Sequence, residues 1–240
     1  MNPLSIPLMP GCPWYQAHML YPPNVDWCEQ KVCSIFMTPF NTLTNLAFML
    51  LGLYIWSQMK KSPSKILRFF GIAMYTVGFT SLIYHASLNF YTQVLDFIGM
   101  YMFCVLLIMC NRSRGPVEGR TWPAPPRTFY RFWIWVLGIT VLTTVSGKLI
   151  PHFPIQIFVL LLIFEIIRTE FKKTAPSRKF FWMSFASLVV AATFSALDAA
   201  RILCFSENHF FQGHGMWHVF SAIALYFSFR HIRQFENELY

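Results

Sequence analysis

The sequence predicts an all-α membrane protein, a bundle of seven transmembrane helices in one domain over residues 1–240, with residues 1–40 as an outer amino-terminal segment. Three observations lead to this prediction. Apolar residues make up 55% of the chain and charged residues only 12%, about half the charged share of a typical soluble domain. Phe alone accounts for 26 positions. Apolar segments also recur, most of them near the roughly 17 to 25 residues that a membrane-spanning helix needs.

The boundaries of the helices come from turns rich in charge, Pro and Gly, such as the Lys-Lys-Ser-Pro run at 60–63, which do not belong in hydrocarbon. The predicted spans are residues 42–59, 66–87, 91–110, 129–150, 155–169, 180–200 and 214–230. The fifth is the shortest. The Pro-rich first forty residues lack the pattern of a signal peptide, so we expect the first span to direct insertion.

The distribution of Lys and Arg predicts the orientation. Of the 19 Lys and Arg residues, all but Lys31, Lys148 and Arg201 flank the first, third and fifth loops or follow the last span. Short cytoplasmic loops carry this excess, so the amino terminus is predicted outside and the carboxyl terminus in the cytoplasm. Basic residues at helix ends meet anionic headgroups, and the net charge of +9 therefore does not indicate a nucleic-acid partner.

A few polar residues interrupt the apolar spans. His85 and Ser81 lie near the outer end of the second span, Asp96 lies just over one turn into the third, and His214 and His218 open the seventh. Residues four apart project from one face of a helix. Two imidazoles from one helix and a third from a facing helix would hold a zinc ion and leave a fourth position open for water, as in catalytic zinc sites.

Some of these residues also have an interpretation that needs no metal ion. A single membrane His often only bonds to a neighbouring helix, and for His85 alone that is an equal alternative. The Ser81 hydroxyl is either part of the site or bonded to its own helix carbonyl. Helix packing alone explains less well why the pair His214 and His218 meets a third histidine and a carboxylate at the same depth. The pattern therefore favours a metal site.

The sequence resembles the alkaline ceramidases, which belong to a wider superfamily of seven-helix hydrolases and adiponectin-type receptors. The resemblance covers nearly the whole chain and is carried by the Asp-Trp-Cys-Glu run at 26–29, Asn41, Asn45, Ser81, His85, Asp96, Asp198, Arg201, Cys204, His214 and His218. It implies that the three histidines ligate zinc, with Ser81 and Asp96 beside the metal. It also implies that the amide bond of ceramide is hydrolysed to a sphingoid base and a fatty acid.

The implied chemistry suits such a site. Zinc lowers the pKa of bound water to about 7 and polarises a carbonyl oxygen. Asp96 is expected to accept the proton of the attacking water and to pass it to the leaving amine. The Ser81 hydroxyl is expected to help stabilise the oxyanion.

The amino-terminal segment also resembles the family's calcium site, although incompletely. Asp26, the Trp27 carbonyl and Glu29 are candidate oxygen ligands of the kind calcium takes. Lys31 stands where a neutral amide ligand is expected, and the family's further glutamate is replaced around Thr38. We predict that the Lys31 ammonium occupies the ion's position and pairs with Asp26 and Glu29, so that calcium binds weakly or not at all. A solvated loop charge is the plain alternative.

Four cysteines are predicted to face an oxidising compartment, where disulfides persist. They are Cys12, Cys28, Cys33 and Cys204, and four cysteines allow three pairings. The resemblance favours Cys28 with Cys204, which leaves Cys12 with Cys33.

The spacing of Asp198 and Arg201 suits a local ion pair, although Asp198 could instead orient a zinc-bound imidazole. Glu165 and Arg168 repeat this spacing at the cytoplasmic end of the fifth span. Four further histidines lack a partner at ligand spacing and are interpreted as loop or interface residues: His18, His152, His209 and His231.

Two rival functions stay open at this stage. One is a related zinc hydrolase that cleaves a phospholipid ester, and the other is a seven-helix receptor that keeps zinc for structure. The Asp-Trp-Cys-Glu run favours the ceramidase. An outward-facing site would open to the lumen of the endoplasmic reticulum or Golgi in a eukaryote, or to the periplasm in a bacterium.

Overall fold

The structure is a computed structural model that describes residues 7–114, 127–150 and 156–239. His152 and Ile155, the first residue of the predicted fifth span, lie outside these residues. The described parts of the chain are helical and carry no β-strand. The all-α prediction is therefore confirmed for them.

Nine α-helices and one 3₁₀ helix make up the described structure. They are α1 (Tyr15–Leu20), α2 (Pro39–Leu43), α3 (Leu46–Met59), α4 (Lys65–Ser87), α5 (Phe90–Ser113), α6 (Arg127–Leu149), α7 (Gln156–Phe171), α8 (Lys179–Ala199), α9 (Gly213–Ile232) and the 3₁₀ helix Arg233–Glu238. The first predicted span divides into α2 and α3, because residues 44 and 45 form a turn. Each other predicted span corresponds to one helix.

Four described helices are long and apolar enough to cross a membrane: α4, α5, α8 and the Phe129–Leu149 part of α6. The others fall short for visible reasons. At 14 and 16 residues, α3 and α7 are shorter than a membrane-spanning helix. Helix α9 has 20 residues but carries polar residues at both ends. The helices thus support a membrane protein, while the count of seven spans stays a prediction.

The helices pack largely in chain order. Helix α3 packs on α4, α4 on α5, and α5 on α6 and α7, whereas α8 packs on α9. Helix α9 closes the bundle against α2, α3, α4 and α5. Aromatic residues such as Phe70, Phe103 and Phe229 fill the buried core between these helices. This arrangement brings α4 and α9, the helices that carry the candidate histidines, into contact.

A close approach of backbones fixes α4 against α3. A Cβ atom at Gly52 would lie 2.6 Å from the Tyr75 nitrogen, and one at Gly71 would lie 2.5 Å from the Trp56 nitrogen. Only Gly permits these contacts, in the way that small residues let membrane helices pack closely. The helix that carries His85 therefore packs closely on α3.

The amino-terminal segment packs over one end of the helix bundle and is held there by disulfides and hydrogen bonds. Disulfides join Cys12 to Cys33 and Cys28 to Cys204, so both predicted pairs are confirmed. The Thr38 hydroxyl donates to the His85 carbonyl at 2.8 Å, which satisfies a carbonyl in the last turn of α4 that the helix itself leaves open. The segment thus reaches the helix turn that holds His85. We call this end of the bundle the histidine end.

A buried charge cluster joins several helices at the opposite end. The Glu170 carboxylate pairs with Arg114 and lies 3.1 Å from His231 Nε2, and Arg178 Nε is 3.5 Å away. The side chains of Arg114 and Glu170 are 1% and 0% exposed. His231 was predicted to be a loop or interface residue, and the structure places it instead in the buried last turn of α9, within this cluster. Its partners come from distant parts of the chain, so no local spacing could reveal them.

The cluster predicts a large stability effect. Glu170→Gln should lower the free energy of unfolding by about 3 to 5 kcal/mol, because it leaves buried positive charge without its carboxylate. Thermal unfolding of the purified protein in detergent would measure the loss. Glu165→Gln is the matched control, since Glu165 pairs with Arg112 and Arg168 near the surface, and its effect should be much smaller. Equal effects for the two variants would contradict this assignment.

Candidate metal centre

Three buried imidazoles meet at the histidine end. His85 comes from the last turns of α4, and His214 and His218 come from the first turns of α9. Their exposed fractions are 1%, 5% and 2%. Their candidate ligand nitrogens all lie within 4.8 Å of one another. The structure therefore brings together the three histidines that the spacing singled out, in a cluster that could hold a metal ion.

The spacing of one histidine pair is compatible with a shared metal ion. The Nε2 atoms of His85 and His214 are 3.2 Å apart, close to the separation of about 3.3 Å that two nitrogens take at ordinary Zn–N distances in a tetrahedral site. The Nδ1 atoms of both rings are buried and make no hydrogen bond within the described residues. The two Nε2 atoms are therefore the nitrogens of these rings that face each other and could share an ion.

The third ring is oriented by Thr44. The His218 Nδ1 atom lies 2.9 Å from the Thr44 hydroxyl, which also lies 2.9 Å from the Phe40 carbonyl. Because the hydroxyl proton goes to that carbonyl, the hydroxyl accepts a hydrogen bond from the His218 Nδ1–H. This tautomer leaves the lone pair on Nε2, as ligating histidines require. The sequence offered no signal for Thr44, because its role depends on the approach of α9.

The position of His214 is set by Asp198, which lies at the end of α8. One carboxylate oxygen accepts from the His214 backbone N–H at 3.0 Å, and the other accepts from the Cys28 N–H at 2.9 Å. The carboxylate therefore ties the first turn of α9 to the disulfide-bonded segment. It holds the backbone of the histidine and not its ring, which differs from both predicted roles.

Arg201 does not pair with Asp198 as the helical spacing predicted. Helix α8 ends at Ala199, and Arg201 has a φ of 59°, in the left-handed region. The geometry that brings residues three apart together therefore ends before Arg201. Its guanidinium pairs instead with Asp26 at 3.1 Å.

Ser81 and Asp96 face each other beside the histidines. Ser81 is buried one turn before His85 on α4, and its hydroxyl interacts with the carboxyl of Asp96 on α5. Asp96 is half-buried and does not join the three-histidine cluster. The pair thus lies one turn along α4 from His85, and the Asp96 carboxyl is not among the grouped candidate metal ligands.

At the candidate second cation site, the candidate ligands Asp26 and Glu29 are paired with other groups of the protein. Lys31 Nζ lies 2.7 Å from Asp26, which matches one of the two predicted pairs. Glu29 does not take the other. Its oxygens accept from the Phe40 and Asn41 N–H groups at 2.8 and 2.9 Å, and the His209 Nδ1 atom lies 3.0 Å away.

Burial and these contacts act in opposite directions on the pKa of the Glu29 carboxyl. Burial raises the pKa of its carboxyl, although His209 and the two N–H groups oppose the shift. His209 lies in a loop, as predicted, and its contact with Glu29 adds a partner that the sequence did not indicate. The two residues lie 180 positions apart, which is why sequence spacing did not connect them.

The fold and the site together define a class: a helical membrane protein with a buried cluster of three histidines of the kind that holds a metal ion. The chain belongs to the ceramidase family, because the Ceramidase family model matches residues 22–238. The family that the sequence motifs suggested is therefore confirmed, and with it the assignment to the hydrolases.

Curated relatives agree with the family. The chain is similar to alkaline ceramidase 1 of Mus musculus, with 26% identity over 218 residues that cover 84% of this chain and 76% of the relative. It is 24% identical to alkaline ceramidase YPC1 of Saccharomyces cerevisiae, over 88% of this chain and 76% of that protein. Homo sapiens alkaline ceramidase 1 is also 24% identical, over 84% and 78%.

Proposed function

We propose that this protein hydrolyses the amide bond of ceramide to a sphingoid base and a free fatty acid, using a zinc ion held by His85, His214 and His218. The observation that carries the proposal is the convergence of three buried imidazole rings beside the Ser81 and Asp96 pair, in a chain of the ceramidase family. The curated relatives named alkaline ceramidases support ceramide as the substrate.

In the proposed reaction the side chains bind, orient and move protons. When bound, zinc supplies a Lewis acid that activates water and polarises the amide carbonyl. Asp96 accepts the proton of the attacking water and returns it to the nitrogen of the leaving amine. The Ser81 hydroxyl donates a hydrogen bond to the developing oxyanion. Thr44 and Asp198 keep His218 and His214 in position throughout.

The proposal includes a membrane arrangement. Four apolar helices are long enough to be spans. In the proposal, α2 together with α3, α7 and α9 form three more, which makes seven. The bias of Lys and Arg toward one set of loops orients the histidine end away from the cytoplasm. The two disulfides at that end support an oxidising compartment, such as the lumen of the endoplasmic reticulum or Golgi.

The test is an incubation of the purified protein with defined lipids, with released fatty acid and sphingoid base measured by mass spectrometry. Ceramides should be cleaved to equal amounts of both products, whereas a phospholipid of the same acyl chain should not. Release from the phospholipid ester alone would assign the site to the rival hydrolase. No release from either lipid would favour the receptor.

Calcium is expected to bind weakly or not at all at the second cation site. The Lys31 ammonium pairs with Asp26, and Glu29 is engaged by two backbone N–H groups and His209. Few oxygen ligands therefore remain free for a cation that takes six to eight. Calorimetric titration of the chelator-treated protein should show no tight calcium site. A tight site that ordinary chelation removes would contradict the replacement of the ion by Lys31.

A further inference from the structure

An apolar groove lies on the surface of the histidine end, beside α2. Its volume is about 440 Å³, within the roughly 300 to 1,000 Å³ of sites that bind small molecules. Most of its lining is apolar: Phe36, Pro39, Phe40, Leu43 and Phe210. Phe210 is 80% exposed and Leu43 is 48% exposed, although apolar surface of this size gains free energy when it leaves water. The groove therefore has the chemistry of a site for hydrocarbon.

The polar side chains in the lining do not require a polar ligand. Each of the three has a partner in the protein: the Ser34 hydroxyl accepts from the Phe36 N–H, the Thr44 hydroxyl accepts from the His218 Nδ1–H, and the His209 Nδ1 atom contacts Glu29. Sites for polar ligands present polar groups that are placed for the ligand. The groove therefore favours a hydrocarbon chain over a polar headgroup.

The depth of the groove in the membrane follows from the length of α3. This helix carries no charged residue and ends one residue before Lys60. A hydrocarbon layer of roughly 30 Å takes about 20 helical residues at about 1.5 Å each, so a span that begins at Lys60 reaches back to about residue 40. The exposed side chains of Leu43, Leu46 and Leu50 follow helical spacing along this length. Helix α2 and the groove therefore lie at the depth of the lipid chains.

We propose that the groove binds one acyl chain of a phospholipid in the leaflet at the histidine end. The inference uses the proposed membrane arrangement and does not depend on the proposed reaction. The position of Thr44 favours phospholipid over the ceramide substrate. Thr44 lines the groove and contacts His218 at Nδ1, not at the candidate ligand atom Nε2. The bound chain therefore packs against the residue that orients His218, on the side of the ring away from the metal ligands.

The test is photocrosslinking of the purified protein in phospholipid nanodiscs. The discs contain a phospholipid with a diazirine on one acyl chain, and the crosslinked residues are mapped by mass spectrometry. Crosslinks should concentrate in residues 36–44 and at Phe210. Leu43→Trp fills the groove and should lower these crosslinks at least about tenfold, because it displaces two or more methylene groups that contribute roughly fourfold each.

Leu50→Trp is the matched control. Leu50 is 66% exposed on the same stripe of leucines but does not line the groove, so this variant should keep the wild-type crosslinks in the groove. If Leu43→Trp leaves those crosslinks unchanged, or if the wild type is labelled equally at Leu50 and in the groove, the lipid contact is nonspecific and the proposal is wrong.

A photoreactive ceramide at the same mole fraction identifies the source of the chain. The phospholipid should give more crosslinks in the groove than the ceramide does. Equal or stronger labelling by the ceramide would assign the groove to the substrate and overturn the proposal. Because crosslinking is measured without hydrolysis, a protein that fails to cleave ceramide would remove the proposed function and leave this test unaffected.

Discussion

His85→Ala, His214→Ala and His218→Ala should each lower ceramide hydrolysis by at least about 10³-fold, since a catalytic metal supplies several kcal/mol of transition-state stabilisation. Each variant removes one of three converging nitrogens and leaves a cluster that cannot hold the ion with three protein ligands. Initial rates of fatty acid release, together with zinc content by elemental analysis, measure both consequences. Activity and bound zinc should fall together.

The control for these variants is His18→Ala. The His18 Nδ1 atom contacts the Leu88 carbonyl at 2.6 Å, and His18 does not belong to the cluster. This variant should keep its zinc and most of its activity per folded molecule. Near-wild-type hydrolysis by a well-folded His85→Ala protein would contradict a catalytic metal at this site.

Asp96→Asn should lower kcat by about 10² to 10⁴-fold, the usual contribution of a positioned general acid or base. The amide is nearly the same size as the carboxyl and can still bond to Ser81, but it cannot take a proton from water. Because Asp96 lies outside the cluster of ligand nitrogens, zinc content should stay at the wild-type level. Single-turnover rates with a saturating ceramide, measured beside zinc content, test both parts.

Ser81→Ala separates the roles within this pair. It removes one hydroxyl donor and keeps the Asp96 carboxyl, so its loss should be clearly smaller than that of Asp96→Asn. Loss of zinc from the Asp96→Asn protein would show that the carboxyl is a ligand. Unchanged kcat would show that another group moves the proton.

Much of the site could be predicted because its chemistry is local in the sequence. Spacing of four on a helix places His214 and His218 on one face whatever else the chain does. Few polar residues are tolerated in apolar helices, so His85, Ser81 and Asp96 stood out by their setting alone. Helices with strong apolar patterns were likewise predictable, with boundaries set by turns of charge, Pro and Gly.

The features that the sequence did not predict depend on contacts between segments that lie far apart in the chain. Thr44 orients His218 only because α2 and α3 meet α9, and the indole of Trp27 covers His214 only because a disulfide and Asp198 hold the segment there. Glu29 was expected to bind Lys31, yet it binds His209 and two backbone N–H groups. Glu170 and His231 are joined across 61 residues by packing. Short-range spacing carries no information about such partners.

The proposed function requires that the three histidines hold a zinc ion on which the hydrolysis of ceramide depends. Its most direct test is to strip the purified protein with a strong chelator, measure metal content and fatty acid release, and then add zinc back in steps. Hydrolysis should disappear with the metal and return in proportion to bound zinc, saturating at one ion per chain. Full ceramide hydrolysis by the metal-free protein would contradict it.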